Sequence, residues 1–284
     1  MREHNGCLPL TVTCIMQGGL GNQLFQIFAT AAYSLKYNRI FVLPNYQGMM
    51  GIDGTSKRPS YWNTLFSKLN SYIKPSSATV SLKEPDSHTY SNLPASNNNI
   101  CLDGYFQHLK YFNTYSDRII HLIGIRDFQK EIREKHIIKD SISLHFRIGD
   151  YTASSGYHNI LSIHHYIKGL DTIITKTNKN NWRVVYCCED QDLAKVNEMV
   201  RDLQLKFPNL KFERINNNLA DWQQMLYMSC CQHNVIANST FSWWSAYFNM
   251  NPNKIVCYPS RWFGDNRDVS GIFDGLGWDI ISEN

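Results

Sequence analysis

The stretch Ser143-Leu144-His145-Phe146-Arg147-Ile148-Gly149-Asp150 interleaves polar or charged residues with large apolar ones. Period-two alternation marks a strand with one buried face, so His145 and Arg147 project together while Leu144, Phe146 and Ile148 point into a core. An arginine near the C-terminal end of a strand suits a phosphate, because its planar fork donates two parallel hydrogen bonds. The competing use is structural, an ion pair between Arg147 and Asp150 across a turn. A second segment, Asn238-Ser239-Thr240-Phe241-Ser242-Trp243-Trp244, joins an apolar strand to a helix through two hydroxyl residues. Ser239 or Thr240 can cap that helix, and the same arrangement offers hydroxyls, amides and the positive helix end to an anion. Trp243 and Trp244, adjacent on a helix, cannot share a face, and core packing is their expected role.

Gly18-Gly19-Leu20-Gly21-Asn22-Gln23 lies between an apolar run and a helical pattern. Glycines there let a ligand approach the backbone and put amides near a phosphate, although an ordinary glycine turn fits equally. A nicotinamide-binding fingerprint does not fit: Leu24 stands at the third glycine position, and no acid occurs between Gly18 and Asp53. The fourth candidate is Glu189-Asp190-Gln191-Asp192 at the end of a strand. Asp190 and Asp192 have the spacing of a cation-binding carboxylate pair on a donor diphosphate. Acids favoured by a helix dipole, or a carboxylate accepting from a purine base, are the alternatives.

The scaffold that must position these groups is α/β. Leu10 to Met16 reads as a strand, Leu24 to Leu35 as a helix, and Arg39 to Leu43 as a second strand ended by Pro44. From Asn45 to Asn99 the composition is rich in Ser, Asn, Thr and Gly, and long loops are expected. Order returns at Ile100 to Phe112, with a helix at Phe128 to His136 and a strand from Ser141 to Ile148. Strands at 182–188, 210–215, 234–238 and 254–259 then alternate with helices at 193–203, 221–231 and 241–248, which argues a second α/β unit beginning near residue 139.

Bulk properties narrow the function. Among 284 residues, 28 Lys and Arg against 24 Asp and Glu give a net charge of +4 without a basic cluster, which argues against nucleic acid. No run approaches the roughly 20 apolar residues of a membrane span, and no signal-like start precedes the first strand. The eight cysteines lack the paired spacing of a zinc site, and buried thiols fit a reducing, cytoplasmic setting.

Taken together, the segments resemble the α1,2-fucosyltransferase family, glycosyltransferase family 11. The family's G-G-L-G-N-Q-L-F-Q stands at Gly18 to Gln26, and its G-Y-F-Q and Y-F at Gly104 to Gln107 and Tyr111-Phe112. H-x-R-x-G-D stands at His145 to Asp150, and N-S-T-F-S-W-W-S at Asn238 to Ser245. The resemblance implies a GT-B architecture of two Rossmann-like units facing across a donor-binding cleft. The resemblance makes residues 1–138 the expected acceptor side, with a loop-rich insertion at about 45–99, and residues 139–284 the expected GDP-fucose-binding unit. It implies inverting transfer of fucose from GDP-fucose, a co-substrate, to the 2-hydroxyl of a galactose-type residue in a glycan acceptor, with no cofactor and no metal. Carried over residue by residue, Arg147 is catalytic, binding the β-phosphate and stabilising the departing GDP. The helix end at Ser239 and Thr240 assists, with Asn238 and Phe241 in the same donor-binding stretch. His145, Asp150 and one of Glu189 or Asp190 surround the guanosine. Gly21, Asn22 and Gln23 close over the diphosphate or sugar, and Tyr105 with Gln107 shapes the acceptor side.

Two positions depart from the family pattern: Ile148 replaces a second arginine, and Cys188-Glu189-Asp190 replaces S-D-D. Two other classes stay open, a metal-dependent transferase using Asp190 and Asp192, and a sugar-nucleotide-binding protein without turnover.

Overall fold

The computed structural model describes residues 9–50, 57–86, 89–149, 159–265 and 269–282. The chain divides into two compact units, one of Met1–Met49, Arg58–Gly124 and Val269–Asp274, the other of Met50–Lys57, Ile125–Asp268 and Gly275–Asn284.

The first unit is built on four strands: β1 (Thr11–Cys14), β2 (Ile40–Phe41), β3 (Val80–Lys83) and β4 (Ile100–Asp103). They lie in the order β2-β1-β4-β3, and every pairing is parallel. Helix α1 (Leu20–Tyr37) leaves the glycine turn that follows β1 and is buried almost all round from Leu20 to Ser34, so its fully enclosed Leu24, Phe25, Ile27 and Phe28 anchor this core. Each such side chain contributes about 1.5–3 kcal/mol of burial. Asn38, left-handed at φ 49°, ends the helix with its amide on Ser34 O, as αL caps do. Helix α2 (Ser116–Ile123) closes the unit, packing Ile119, Ile120 and Ile123 inward.

The second unit opens with helix α3 (Ile125–Lys135), which the sequence reading places before its divide at residue 138 but which packs here, Gln129 Nε2 reaching Ser229 Oγ at 2.7 Å. Six strands follow: β5 (Ser141–His145), β6 (Arg183–Cys187), β7 (Lys211–Arg214), β8 (His233–Val235), β9 (Val256–Pro259) and β10 (Asp279–Ile281). Their order is β10-β9-β8-β5-β6-β7, all parallel. Numbered within the unit this is 3-2-1-4-5-6, the doubly wound order in which ligands meet the strand carboxyl ends where the order reverses. That switch point lies between β5 and β8. Helices α4 (Ile163–Thr177), α5 (Leu193–Lys206), α6 (Asp221–Cys230) and α7 (Thr240–Phe248) cover the sheet.

Ile142, Leu144, Phe146 and Ile148 all enter one core with Tyr166, Leu170, Val184 and Val235, as the alternation predicts. The close seating of α4 needs Gly169, since a Cβ there would stand 2.7 Å from Val235 Cγ1. Trp243 and Trp244 are fully buried, their rings 5.0 Å apart and near perpendicular. The two parallel-sheet α/β units are the components of the GT-B class expected from the sequence. Among the described residues no helix is long and apolar enough to cross a membrane.

Candidate functional site

In the second unit, β5 and β8 deliver their ends side by side at the switch point. The ladder of β5 stops at His145, but Phe146 N still donates to Cys187 O at 2.9 Å, which keeps the next residues along the end of β6. Arg147 is thereby held at the sheet's carboxyl edge, its side chain 15% exposed and its guanidinium donating to Glu189 Oε1. One partner of Arg147 is therefore an acid from the end of β6. Asp150, expected both as a turn partner and as a donor-binding residue, lies outside the described residues.

His145 is buried, its ring 5.2 Å from that of Phe241, with Nδ1 lacking a hydrogen-bond partner among the described residues. Burial, reinforced by the Arg147 charge, pushes its pKa down to about 3, so the imidazole is neutral. Its main chain is fixed by Tyr166 OH donating to His145 O at 3.0 Å. From β8 the chain passes through Asn238 into α7, where Ser239 Oγ accepts from Phe241 N at 3.3 Å and caps the helix. Asn238 is a pin for two neighbouring segments, Nδ2 donating to Asn159 O at 2.7 Å and Trp262 O at 2.9 Å. Thr240 and Phe241 begin α7, partly exposed. Arg147 and the α7 N-terminus thus supply positive charge to the same switch point, the combination that holds a phosphate.

The acids after β6 take separate partners. Glu189 holds Arg147 and accepts from Gln191 Nε2 at 2.7 Å, while the exposed Asp190 pairs with Arg214 from the end of β7. Asp192 is buried and accepts from Gly149 N at 2.8 Å, fastening the loop that carries Arg147. Asp190 and Asp192 therefore engage different groups rather than converging, and among the described residues no three His, Cys, Asp or Glu side chains stand together to hold a metal ion. Asp192 reads from sequence as half of a cation-binding pair or as an acid at a helix start; its hold on Gly149 is long-range and leaves no local signature.

In the first unit, the candidates gather at the carboxyl ends of β1 and β4. Gly18 is left-handed at φ 77°, and a Cβ there would stand 2.5 Å from Asn22 Nδ2, so only glycine fits the turn. Gly21 is buried in the first turn of α1. Gln23, expected to close over the donor, is instead fully buried, its Nε2 donating to Gly18 O at 3.1 Å and Pro59 O at 2.9 Å. It shapes the turn and leaves Asn22 as the half-buried side chain beside it. Asn22 Oδ1 accepts from Gln107 Nε2 at 3.0 Å, joining the glycine turn to the Gly104–Gln107 segment, and Gln26 Oε1 accepts from Gln17 N at 3.0 Å. Gln107 is itself buried, while Tyr105 is half-buried. Sequence reasoning did not single out Arg58, whose Nη1 lies 3.9 Å from where a Gly19 Cβ would stand, because it sits in a stretch with no periodic pattern.

The family description "Glycosyl transferase family 11" matches residues 69–268. An O-antigen biosynthesis glycosyltransferase, WbnK, from Escherichia coli is 31% identical over 183 residues, spanning 60% of this chain and 57% of that protein. An α-1,2-colitosyltransferase from Escherichia coli is 26% identical over 288 residues, covering 93% of this chain and 95% of that one. Among solved structures, a mutant FUT1 of Arabidopsis thaliana bound to GDP is similar with a TM-score of 0.49 at 10% identity, over 90% of this chain and 71% of that chain.

Proposed function

Because the chain belongs to glycosyl transferase family 11, we propose that it transfers fucose from GDP-fucose to the 2-hydroxyl of a galactose-type residue, inverting the anomeric carbon and using no metal. The observation that carries this reading is Arg147, just past the carboxyl end of β5 in a 3-2-1-4-5-6 sheet whose switch point lies between β5 and β8, the strand that leads into α7. In an inverting transfer the acceptor oxygen forms its bond to the anomeric carbon as the bond to the β-phosphate oxygen breaks, and the electron pair leaves with GDP. Charge growing on that oxygen is stabilised by Arg147, assisted by the Ser239 and Thr240 end of α7, more strongly in the transition state than before it, which lowers the barrier. The neutral His145 and one of Glu189 or Asp190 accept or donate hydrogen bonds at the guanosine, and Asn22 meets the sugar or diphosphate from the first unit.

The colitosyltransferase that matches 93% of this chain favours a second donor. Colitose is fucose without its 3-hydroxyl, so both donors present the same GDP and differ at one ring position. The deciding assay is acceptor-dependent nucleoside diphosphate release in EDTA, with GDP-fucose, GDP-colitose, GDP-mannose and UDP-galactose offered against galactose-terminated oligosaccharides. Release from GDP-fucose supports the main reading, and release from GDP-colitose alone supports the second. Release only from a UDP donor, or only when a divalent ion is restored, rejects both.

A further inference from the structure

The half-buried Glu84 lies in the stretch whose sequence reads as loop. It follows β3 directly, and Gly104 follows β4 directly, with Lys83 paired to Asp103 and Glu84 N donating to Asp103 O at 2.8 Å. Glu84 Oε2 accepts from both Tyr105 N and Phe106 N at 2.8 Å. Phe106 is fully buried and left-handed at φ 54°, a conformation that costs a bulky side chain on the order of 1–3 kcal/mol and persists only where surrounding contacts enforce it. Two charge-assisted bonds to consecutive amides are such contacts. Gly104 answers the same constraint from the other side, since a Cβ there would collide with Glu84 Cβ.

The turn held in this way ends in Gln107, whose Nε2 donates to Asn22 Oδ1, and begins at Gly104, whose carbonyl accepts from Gln26 Nε2 at 3.4 Å. Asn22 and Gln26 both belong to α1. We propose that Glu84 is a positioning residue for the transfer, setting the Gly104–Gln107 turn and through it Asn22 in the geometry the reacting sugar meets. The proposal rests on the transferase reading above. Glu84 is not the base that takes the acceptor proton: Oε2 is filled by two amides, and Oε1 is buried. Burial raises its pKa to about 7 against the opposing pull of the Phe106 and Tyr105 amides, with the Tyr111 hydroxyl alongside and the Asp86 charge adding to the rise.

Glu84→Met keeps the length of the side chain and removes both acceptor oxygens, whereas Glu84→Gln keeps one oxygen for the two amides. Both are compared with the intact protein in acceptor-dependent transfer and in GDP affinity by calorimetry, with amide exchange of 104–107 measured in parallel. The expected result is a loss of about 100-fold in kcat/KM for the acceptor in Glu84→Met, the scale on which misplacing a reacting group acts. GDP affinity stays within about threefold, since the loss lies in positioning rather than in donor binding. Exchange at 104–107 accelerates in the same variant, and Glu84→Gln recovers most of the activity. Equal acceptor kcat/KM in Glu84→Met and the intact protein overturns the assignment alone, as does a loss that Glu84→Gln fails to reverse. An intact protein that binds GDP but transfers to no acceptor overturns the transferase reading and this assignment with it.

Discussion

Removing the charge of Glu189 should move two affinities in opposite directions. Its Oε1 accepts from Arg147, the group proposed to hold the β-phosphate, so an anion competes with Glu189 for that guanidinium. The pair is only partly shielded, with Arg147 15% and Glu189 34% exposed. Its worth is therefore closer to the surface value than to that of a buried ion pair, about 1 kcal/mol, or roughly fivefold in binding. We predict that Glu189→Gln binds inorganic pyrophosphate about fivefold more tightly. If Glu189 turns to the guanine once released, the same variant binds guanosine roughly tenfold more weakly, the scale of one lost charge-assisted hydrogen bond. GDP, which carries both groups, then changes little. Isothermal calorimetry with the three ligands reads all three values. Unchanged or weaker pyrophosphate binding refutes the displacement argument, and unaltered guanosine binding, with a loss in Asp190→Asn instead, assigns the base to Asp190.

Arg147→Ala is expected to lower kcat by a few hundred-fold or more, roughly 3 to 4 kcal/mol of transition-state stabilisation, with the thermal transition nearly unchanged; wild-type-like turnover sinks its catalytic role. Gly18→Ala forces a Cβ onto Asn22 at a left-handed position and should abolish most transfer while leaving the second unit's affinity for GDP intact, so a fully active variant shows the turn to be uninvolved. Burial holds His145 at about 3, and His165 and His233 at about 4, below the ordinary 6.5. As pH falls below 6.5 the unfolded chain takes up these protons first, so stability declines between there and pH 4 by up to about 1.4 kcal/mol per unit for each histidine. Urea titrations at pH 7, 6 and 5 should show that decline, and a flat profile contradicts the neutral assignments.

The second unit was legible because its segments obey simple periods: Ile142, Leu144, Phe146 and Ile148 alternate, and the turn to α7 carries its own cap in Ser239. Helix α4 went unread although Ile163, Tyr166, Ile167, Leu170 and Ile173 recur at helical spacing, and the short edge strands β3 and β10 offer too few residues to establish a period. What sequence could not give was partnership. Glu189 with Arg147, Asp192 with Gly149 and Glu84 with Tyr105 and Phe106 are bonds between residues 21 to 43 positions apart, fixed by strand register rather than by local pattern. Gln23 shows the reverse failure, since a motif residue that looks ligand-facing is turned inward by the carbonyls of Gly18 and Pro59.

The placement of the thiols turns the molecule into its own unfolding recorder. Cys14 is sealed in the first unit, and Cys187, Cys188, Cys230, Cys231 and Cys257 in the second, whereas Cys101 on β4 is partly exposed. Burial pushes the Cys14, Cys187, Cys231 and Cys257 thiols up to about 12, so while folded they are both hidden and protonated. An alkylating reagent can then reach them only when their unit opens, and the mass of each labelled peptide dates that event. Cys14 keeps time for one sheet and Cys187 for the other, so a single labelling course would tell whether GDP steadies the second sheet alone or both together.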